Sequence, residues 1–242
     1  MLKKILIISV FLTGLLGFPF VPVNALSGSS SSITGSPDII VPAVQGTSVK
    51  SNLISRAKTA WPWYLTRASG IVAAILLFFL LVSGVGLITG YTFKFLEPLN
   101  AWATHRAMGL AFFVAVIIHG GSLLFDTYIK FNIAQVLLPF LSNYRKATVF
   151  NQHVGSLWVA LGVIAFYLIL AIVISSLVWI NKKPHQWKSL HFLAYLAVIF
   201  VFIHALYLGT DFAHGILRTL WIISGVVIFL LVLYRLSRAK SL

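Results

Sequence analysis

Apolar residues in this chain gather into long segments separated by short polar stretches. Each segment is about long enough, at a helical rise of about 1.5 Å per residue, to cross the roughly 30 Å hydrocarbon core of a bilayer. The pattern predicts an all-α fold, a polytopic transmembrane helical bundle with five spans. The five segments are 68–91, 102–125, 154–180, 190–208 and 216–234.

The first 25 residues form a separate apolar segment with a basic start, at Lys3 and Lys4, and small residues at its end. This arrangement is typical of a signal peptide. An uncleaved signal anchor, which would be a sixth span, is the alternative, although Pro19 and Pro22 disfavour a helix that continues through them.

The next 35 residues are polar and rich in serine. We assign 26–60 to an extracytoplasmic linker, and the composition up to about residue 50 predicts disorder. Residues 61–236 then form the membrane domain, and 237–242 a short cytoplasmic tail.

Basic residues indicate the orientation of the spans, because loops rich in Lys and Arg stay in the cytoplasm. We therefore expect a multi-pass protein of the bacterial plasma (inner) membrane with a cytoplasmic C-terminus, and with Asp126 and Asp211 in outer loops. The basic residues of the last cytoplasmic loop and of the C-terminal region are Lys182, Lys183, Lys188, Arg235, Arg238 and Lys240.

Composition agrees with a lipid environment, since 60% of the residues are hydrophobic and only 9% are charged. The net charge of +14 comes mostly from residues between or at the ends of apolar segments. Lipid headgroups explain that placement better than nucleic acid does, and we expect no nucleic-acid partner. The chain has no cysteine, which excludes iron–sulfur clusters and thiolate ligation of haem.

Four of the seven histidines lie within two of the predicted spans: His105 and His119 in the second, His191 and His204 in the fourth. Ionisable groups at membrane depth are costly and usually functional. The spacings of 14 and 13 residues separate the two members of each pair by roughly 20 Å along a helix. If both helices run outwards, His105 is level with His191 and His119 with His204, and facing imidazoles can hold a haem iron.

The 13-residue spacing places His204 about 140° around a straight helix from His191. A bulge or kink in the fourth segment would bring the two side chains to one face. Small residues near the histidines either make room for a macrocycle or serve helix packing. They are Gly109, Gly120, Gly121 and Ala205.

Two other functions remain open for the four histidines. They can bond across helices in a structural membrane subunit, or coordinate ions in a metal-ion permease. The other three histidines, His153, His185 and His214, lie near segment ends, where an imidazole is inexpensive and no special role is expected.

Several short motifs resemble the ferric reductase-like transmembrane family. That family includes the membrane domains of NADPH oxidases and ferric-chelate reductases, and the haem subunit of a bacterial periplasmic methionine sulfoxide reductase. The resemblance extends from about residue 61 to 235. The motifs are Trp63-Tyr64, Thr66-Arg67-Ala68-Ser69-Gly70, Thr104-His105-Arg106, Ile118-His119-Gly120, Leu190-His191-Phe192-Leu193-Ala194-Tyr195 and Ile203-His204-Ala205.

This resemblance implies a helical bundle with two stacked b-type haems that conduct electrons across the membrane. It implies that His105 and His191 ligate the inner haem, and that His119 and His204 ligate the outer one.

Arg67 and Arg106 either pair with haem propionates or are ordinary arginines at the membrane edge. Unlike the oxidases, this chain is expected to have no flavin and nicotinamide domain, because its one glycine cluster, at 84, 86 and 90, lies within an apolar segment and not between a strand and a helix. We therefore expect an oxidoreductase component with a separate donor: a cytoplasmic reductase, FMN or FAD bound here or on a partner, or quinol. Ferric iron, oxygen or an extracytoplasmic protein would be the acceptor. A single-haem, flavin-assisted subunit of a periplasmic sulfoxide reductase is the alternative within this class.

Overall fold

A computed structural model describes residues 46–144, 147–149, 152–154 and 156–238, with the backbone alone for 46–58, 147–149, 152–154 and 238. The predicted signal peptide, most of the linker and the last four residues lie outside this range. In chain order the described elements are α1 (Gly46–Thr89), α2 (Pro98–Ser122), α3 (Ile133–Leu137), β1 (Ala147–Val149), β2 (Gln152–Val154), α4 (Leu157–Val178), α5 (Pro184–His191), α6 (Ala194–Leu208) and α7 (Gly215–Arg238).

Five helical segments of the described chain are long and apolar enough to cross a membrane, which confirms the predicted multi-pass bundle. The loop before α4 adds an antiparallel pairing of β1 with β2, a feature that the sequence analysis did not predict. The candidate spans are Thr59–Thr89, Pro98–Phe125, Leu157–Val178, Pro184–Leu208 and Gly215–Ser237.

The first helix begins upstream of its apolar segment, at Gly46. Residues 46–50, for which disorder was expected, are therefore helical. No proline occurs between Gly46 and Pro62, so the helix of the span extends upstream at the low cost of elongating an existing helix. The helix ends before Gly90, whose φ of 74° is the left-handed conformation that glycine adopts readily after a helix.

Local signals fix the starts of the next spans. Pro98 and Pro184 occupy the first turn of α2 and α5, where a missing backbone N–H is not needed. The hydroxyl oxygen of Ser156 accepts a hydrogen bond from the backbone N–H of Val159 at 3.2 Å and caps α4.

The bundle is built from two helix pairs, α1 with α2 and α4 with α6, while α7 packs against α1. The apolar core of the bundle includes Phe112 and Ala115, which lie on α2 between His105 and His119. The core residues are Ala73, Leu77, Phe112, Ala115, Ile169, Ala197, Val198, Ile199, Ile228 and Val232.

The fourth span is broken at Phe192 and Leu193, between α5 and α6. The backbone N–H of Leu193 bonds to the carbonyl of Leu190 at 3.0 Å, and that of Tyr195 to the carbonyl of Phe192 at 3.3 Å. These bonds span three residues and tighten the chain locally. This break is the kind of irregularity, a bulge or a kink, that the 13-residue spacing predicts for the fourth segment.

Candidate functional site

The structure brings the four membrane histidines together as two facing pairs. His119 and His204 form the pair at the predicted outer end, here called the outer level, with ring centres 6.3 Å apart. His105 and His191 form the inner level, with ring centres 6.4 Å apart.

Backbone carbonyls hold both imidazoles of the outer level. The Nδ1 of His119 lies 2.9 Å from the carbonyl oxygen of Thr66 on α1, and the Nδ1 of His204 lies 2.8 Å from that of Trp158 on α4. A carbonyl oxygen only accepts, so Nδ1 carries the hydrogen in both rings. The lone pair of each imidazole is therefore on Nε2, which is the form that ligates a metal.

A serine holds His105 at the inner level. The hydroxyl of Ser83 on α1 lies 2.8 Å from Nδ1 of His105 and donates its hydrogen to the carbonyl of Leu80 at 3.0 Å. While that hydrogen is donated to Leu80, the Ser83 oxygen can accept from Nδ1–H of His105, which leaves the lone pair of this ring on Nε2.

His191 has the longest of the four Nδ1 contacts, 3.5 Å to the hydroxyl oxygen of Ser176 on α4. The same oxygen accepts a hydrogen bond from the indole Nε1–H of Trp187 at 3.0 Å. The Trp187 ring also packs beside the imidazole, with ring centres 5.3 Å apart. Ser176 and Trp187 together position His191.

The distances between the rings fit a metal held from both sides. A histidine nitrogen lies roughly 2 Å from a first-row metal that it ligates, so two opposed nitrogens lie about 4 Å apart. The ring centres lie behind those nitrogens, which gives about 6 Å between centres in this geometry, as found at both levels. The four imidazoles therefore fit two metal centres, each of which would be held between one pair of histidines.

Glycines leave room beside three of the four rings. A β-carbon at Gly70 would lie 3.1 Å from Nδ1 of His119, one at Gly84 would lie 3.3 Å from Cε1 of His105, and one at Gly162 would lie 2.5 Å from the His204 ring. The small residues proposed from the sequence are not these. Gly109 faces Leu80, Gly120 faces Val136, and Gly121 has open space around it.

Arg67 has a carboxylate partner within the chain. Its Nε donates to Oδ2 of Asp211 at 2.8 Å, its Nη2 donates to Oδ1, and its guanidinium lies over the Trp63 ring, 4.2 Å from the centre. The hydrogen bonds from Arg67 hold the pKa of Asp211 below its usual value. The pair ties α1 to the loop before α7.

Arg106, the second arginine proposed from the sequence, is exposed next to His105. Of the remaining histidines, His153 lies on β2 in a part where only the backbone is described, and His214 is exposed in the loop before α7. His185 lines an open cavity at the predicted inner end, with a volume of about 680 Å³. Trp179, Lys183, Gln186 and Leu190 also line this cavity, and Leu190 directly precedes His191.

The sequence analysis assigned no role to the residues whose contacts position the four imidazoles: Ser83, Ser176, Trp187 and the three glycines beside the rings. A signal for the serines was present, since each is a polar residue in an apolar segment. The sequence could not show which histidine each serine contacts, because each contact joins residues from different helices.

A sequence family described as "ferric reductase like transmembrane component" matches this chain over residues 69–202, which is more than half of its length. No curated protein and no solved structure matches the chain significantly.

Proposed function

Because the chain belongs to the family of ferric reductase-like transmembrane components, we propose that it carries electrons across the membrane through two b-type haems. His105 and His191 would hold one haem, and His119 and His204 the other. Haem iron supplies a one-electron couple when bound. The observation that carries the proposal is the pairing of four membrane histidines at two depths, each with its Nδ1 turned to a partner on another helix.

The number of protein ligands at each level favours haem over a bare metal ion. A bound metal ion usually has at least three protein ligands, whereas haem needs only axial ones. Within the described residues no group of three or more His, Cys, Asp or Glu could hold a metal ion. A permease would therefore lack a complete coordination site in this part of the chain.

We assign electron uptake to the inner level and delivery to the outer level. Lys182, Lys183 and Lys188 support a cytoplasmic location of the loop beside His191. The cavity at this loop, with the Trp179 ring and the cationic Lys183, offers an aromatic and basic surface to a donor. The donor is a flavin of a reductase or a quinol, and the acceptor is ferric iron, oxygen or an extracytoplasmic partner protein.

The decisive experiment is a dithionite-reduced minus air-oxidised absorption spectrum of the purified protein, with haem counted as the pyridine haemochrome. We expect two low-spin b-type haems per chain. One haem with one bound flavin would support the sulfoxide reductase subunit instead. A colourless protein, after expression with adequate haem supply, would overturn the proposal, and metal-dependent uptake into vesicles would then support a permease.

Conduction across the membrane is tested in vesicles that enclose ferricyanide. Dithionite added outside should reduce the enclosed ferricyanide through the wild-type protein. The double variant His105→Ala, His119→Ala lacks a ligand at each level and should leave the enclosed ferricyanide oxidised.

A further inference from the structure

The two levels differ in the groups that accept hydrogen bonds from Nδ1 of the histidines. Backbone carbonyls accept from both outer rings, at 2.9 Å for His119 and 2.8 Å for His204. Serine hydroxyl oxygens lie beside both inner rings, 2.8 Å from Nδ1 of His105 and 3.5 Å from Nδ1 of His191, and they accept from Nδ1–H whenever Nε2 ligates a metal. The strength with which the imidazoles donate electron density to a bound iron should therefore differ between the levels.

His191 is the extreme case, since its acceptor is shared. The Ser176 oxygen already accepts from the Trp187 indole at 3.0 Å. An oxygen that accepts a strong bond from one donor is a poorer acceptor for a second donor at 3.5 Å. His191 is thus the ring whose Nδ1–H is least polarised by its partner.

A hydrogen bond from Nδ1–H raises the basicity of a histidine ligand. A more basic ligand stabilises oxidised iron and lowers its reduction potential, and hydrogen bonding around the ligands is one of the protein's means of setting that potential. We propose that Ser176 and Trp187 are positioning residues that hold the inner haem at a higher reduction potential than the outer haem. This inference rests on the proposed function.

Two variants of this pair should have opposite effects. Ser176→Ala removes the acceptor of His191, so the inner midpoint potential should rise. Trp187→Phe keeps an aromatic ring beside His191 but removes the competing indole N–H, so Ser176 should accept more fully from His191 and the inner midpoint should fall. A role in packing alone does not predict opposite shifts.

The matched control is Ser175→Ala, the same change one residue earlier on α4. Ser175 is buried, and its hydroxyl donates to the carbonyl of Ile172 at 3.0 Å. It belongs to neither level, so both midpoints should stay at their wild-type values.

The measurement is an optical redox titration of the full chain in detergent. His204→Ala and His105→Ala, which each disrupt one level, assign the two midpoints. In the wild type the higher midpoint should belong to the inner level, and the Ser176 and Trp187 variants should shift that midpoint alone.

Equal midpoints, the reverse order, shifts at the outer level or shifts in the same direction would overturn the inference. If Ser176→Ala fails to bind the inner haem, the wild-type order and Trp187→Phe still decide. All these outcomes require bound haem, so they are distinct from a colourless protein, which would overturn the proposed function itself.

Discussion

Gly162 on α4 lies directly against the imidazole of His204 on α6. A β-carbon at this position would stand 2.5 Å from both Cε1 and Nδ1 of the ring. Such a contact is too short for any side chain, so the ring holds its place only because residue 162 is glycine. The backbone carbonyl of Trp158, one turn earlier on the same helix, accepts a hydrogen bond from Nδ1 of the same ring and fixes its orientation.

Gly162→Ala should therefore displace His204 and cost the outer haem while the inner haem stays bound. Alanine favours a helix interior over glycine by about 1 kcal/mol, so the variant should not lose helical structure through propensity. Pyridine haemochrome should count one haem per chain instead of two, with the far-ultraviolet circular dichroism unchanged.

Gly121→Ala is the matched control on α2. A β-carbon there meets nothing within 4 Å, so the same substitution adds no contact to either level, and haem content should stay at the wild-type value. Full haem in Gly162→Ala, with His204 still required for binding, would show that the ring has room to move.

Single histidine variants test the ligand pairs. His105→Ala and His191→Ala should give the same spectrum, which lacks the inner haem, and His119→Ala and His204→Ala should give the complementary one. His214→Ala, an exposed histidine outside both levels, is the control and should keep both haems. Four different spectra, or full haem in any of the four ligand variants, would contradict the pairing.

The histidine pairs could be predicted from the sequence because spacing within one helix is local arithmetic. The 14-residue interval fixes the depth and face of His119 relative to His105 on one continuous helix. The 13-residue interval required a break in the fourth span, and the break exists. Its position could not be predicted, since Phe192 and Leu193 include neither proline nor glycine.

Contacts between distant helices could not be predicted in the same way. The partner of His204 lies 46 residues earlier in the chain, and Asp211 lies 144 residues after Arg67. These pairs depend on which faces of the helices meet, and a single sequence with all-round apolar spans carries little information about that.

The ion pair between Arg67 and Asp211 should make stability depend on pH at the acid end. Because the folded-state pKa of Asp211 is lowered, the stabilisation is fully present above the ordinary aspartate pKa of about 4 and is lost as the pH falls through the lowered value. The pair is partly exposed, so its contribution is on the order of 1 kcal/mol after solvent screening.

Thermal unfolding in detergent, followed from pH 7 into the acid range, measures this effect. Asp211→Asn should unfold at a lower temperature than the wild type at pH 7, and the difference should shrink as the pH falls. Asp126→Asn is the control, since the carboxylate of Asp126 accepts from the backbone N–H of Tyr128 and contributes to no ion pair in the described part of the chain. A constant difference at all pH values would indicate that the loss comes from packing.

The break between α5 and α6 should set the orientation of His204 relative to His191. One alanine inserted after Leu193 adds about 100° of rotation and about 1.5 Å of rise to the start of α6. His191 precedes the insertion and keeps its place beside Ser176, whereas His204 turns away from His119. Haem counting should therefore give one haem per chain, at the inner level.

An alanine inserted after Lys130, an exposed loop residue, is the control and should leave both haems bound. Two haems in the first insertion variant would mean that the segment at Phe192 and Leu193 absorbs the added residue, and that the carbonyl of Trp158 and the space at Gly162 orient His204 without help from the break.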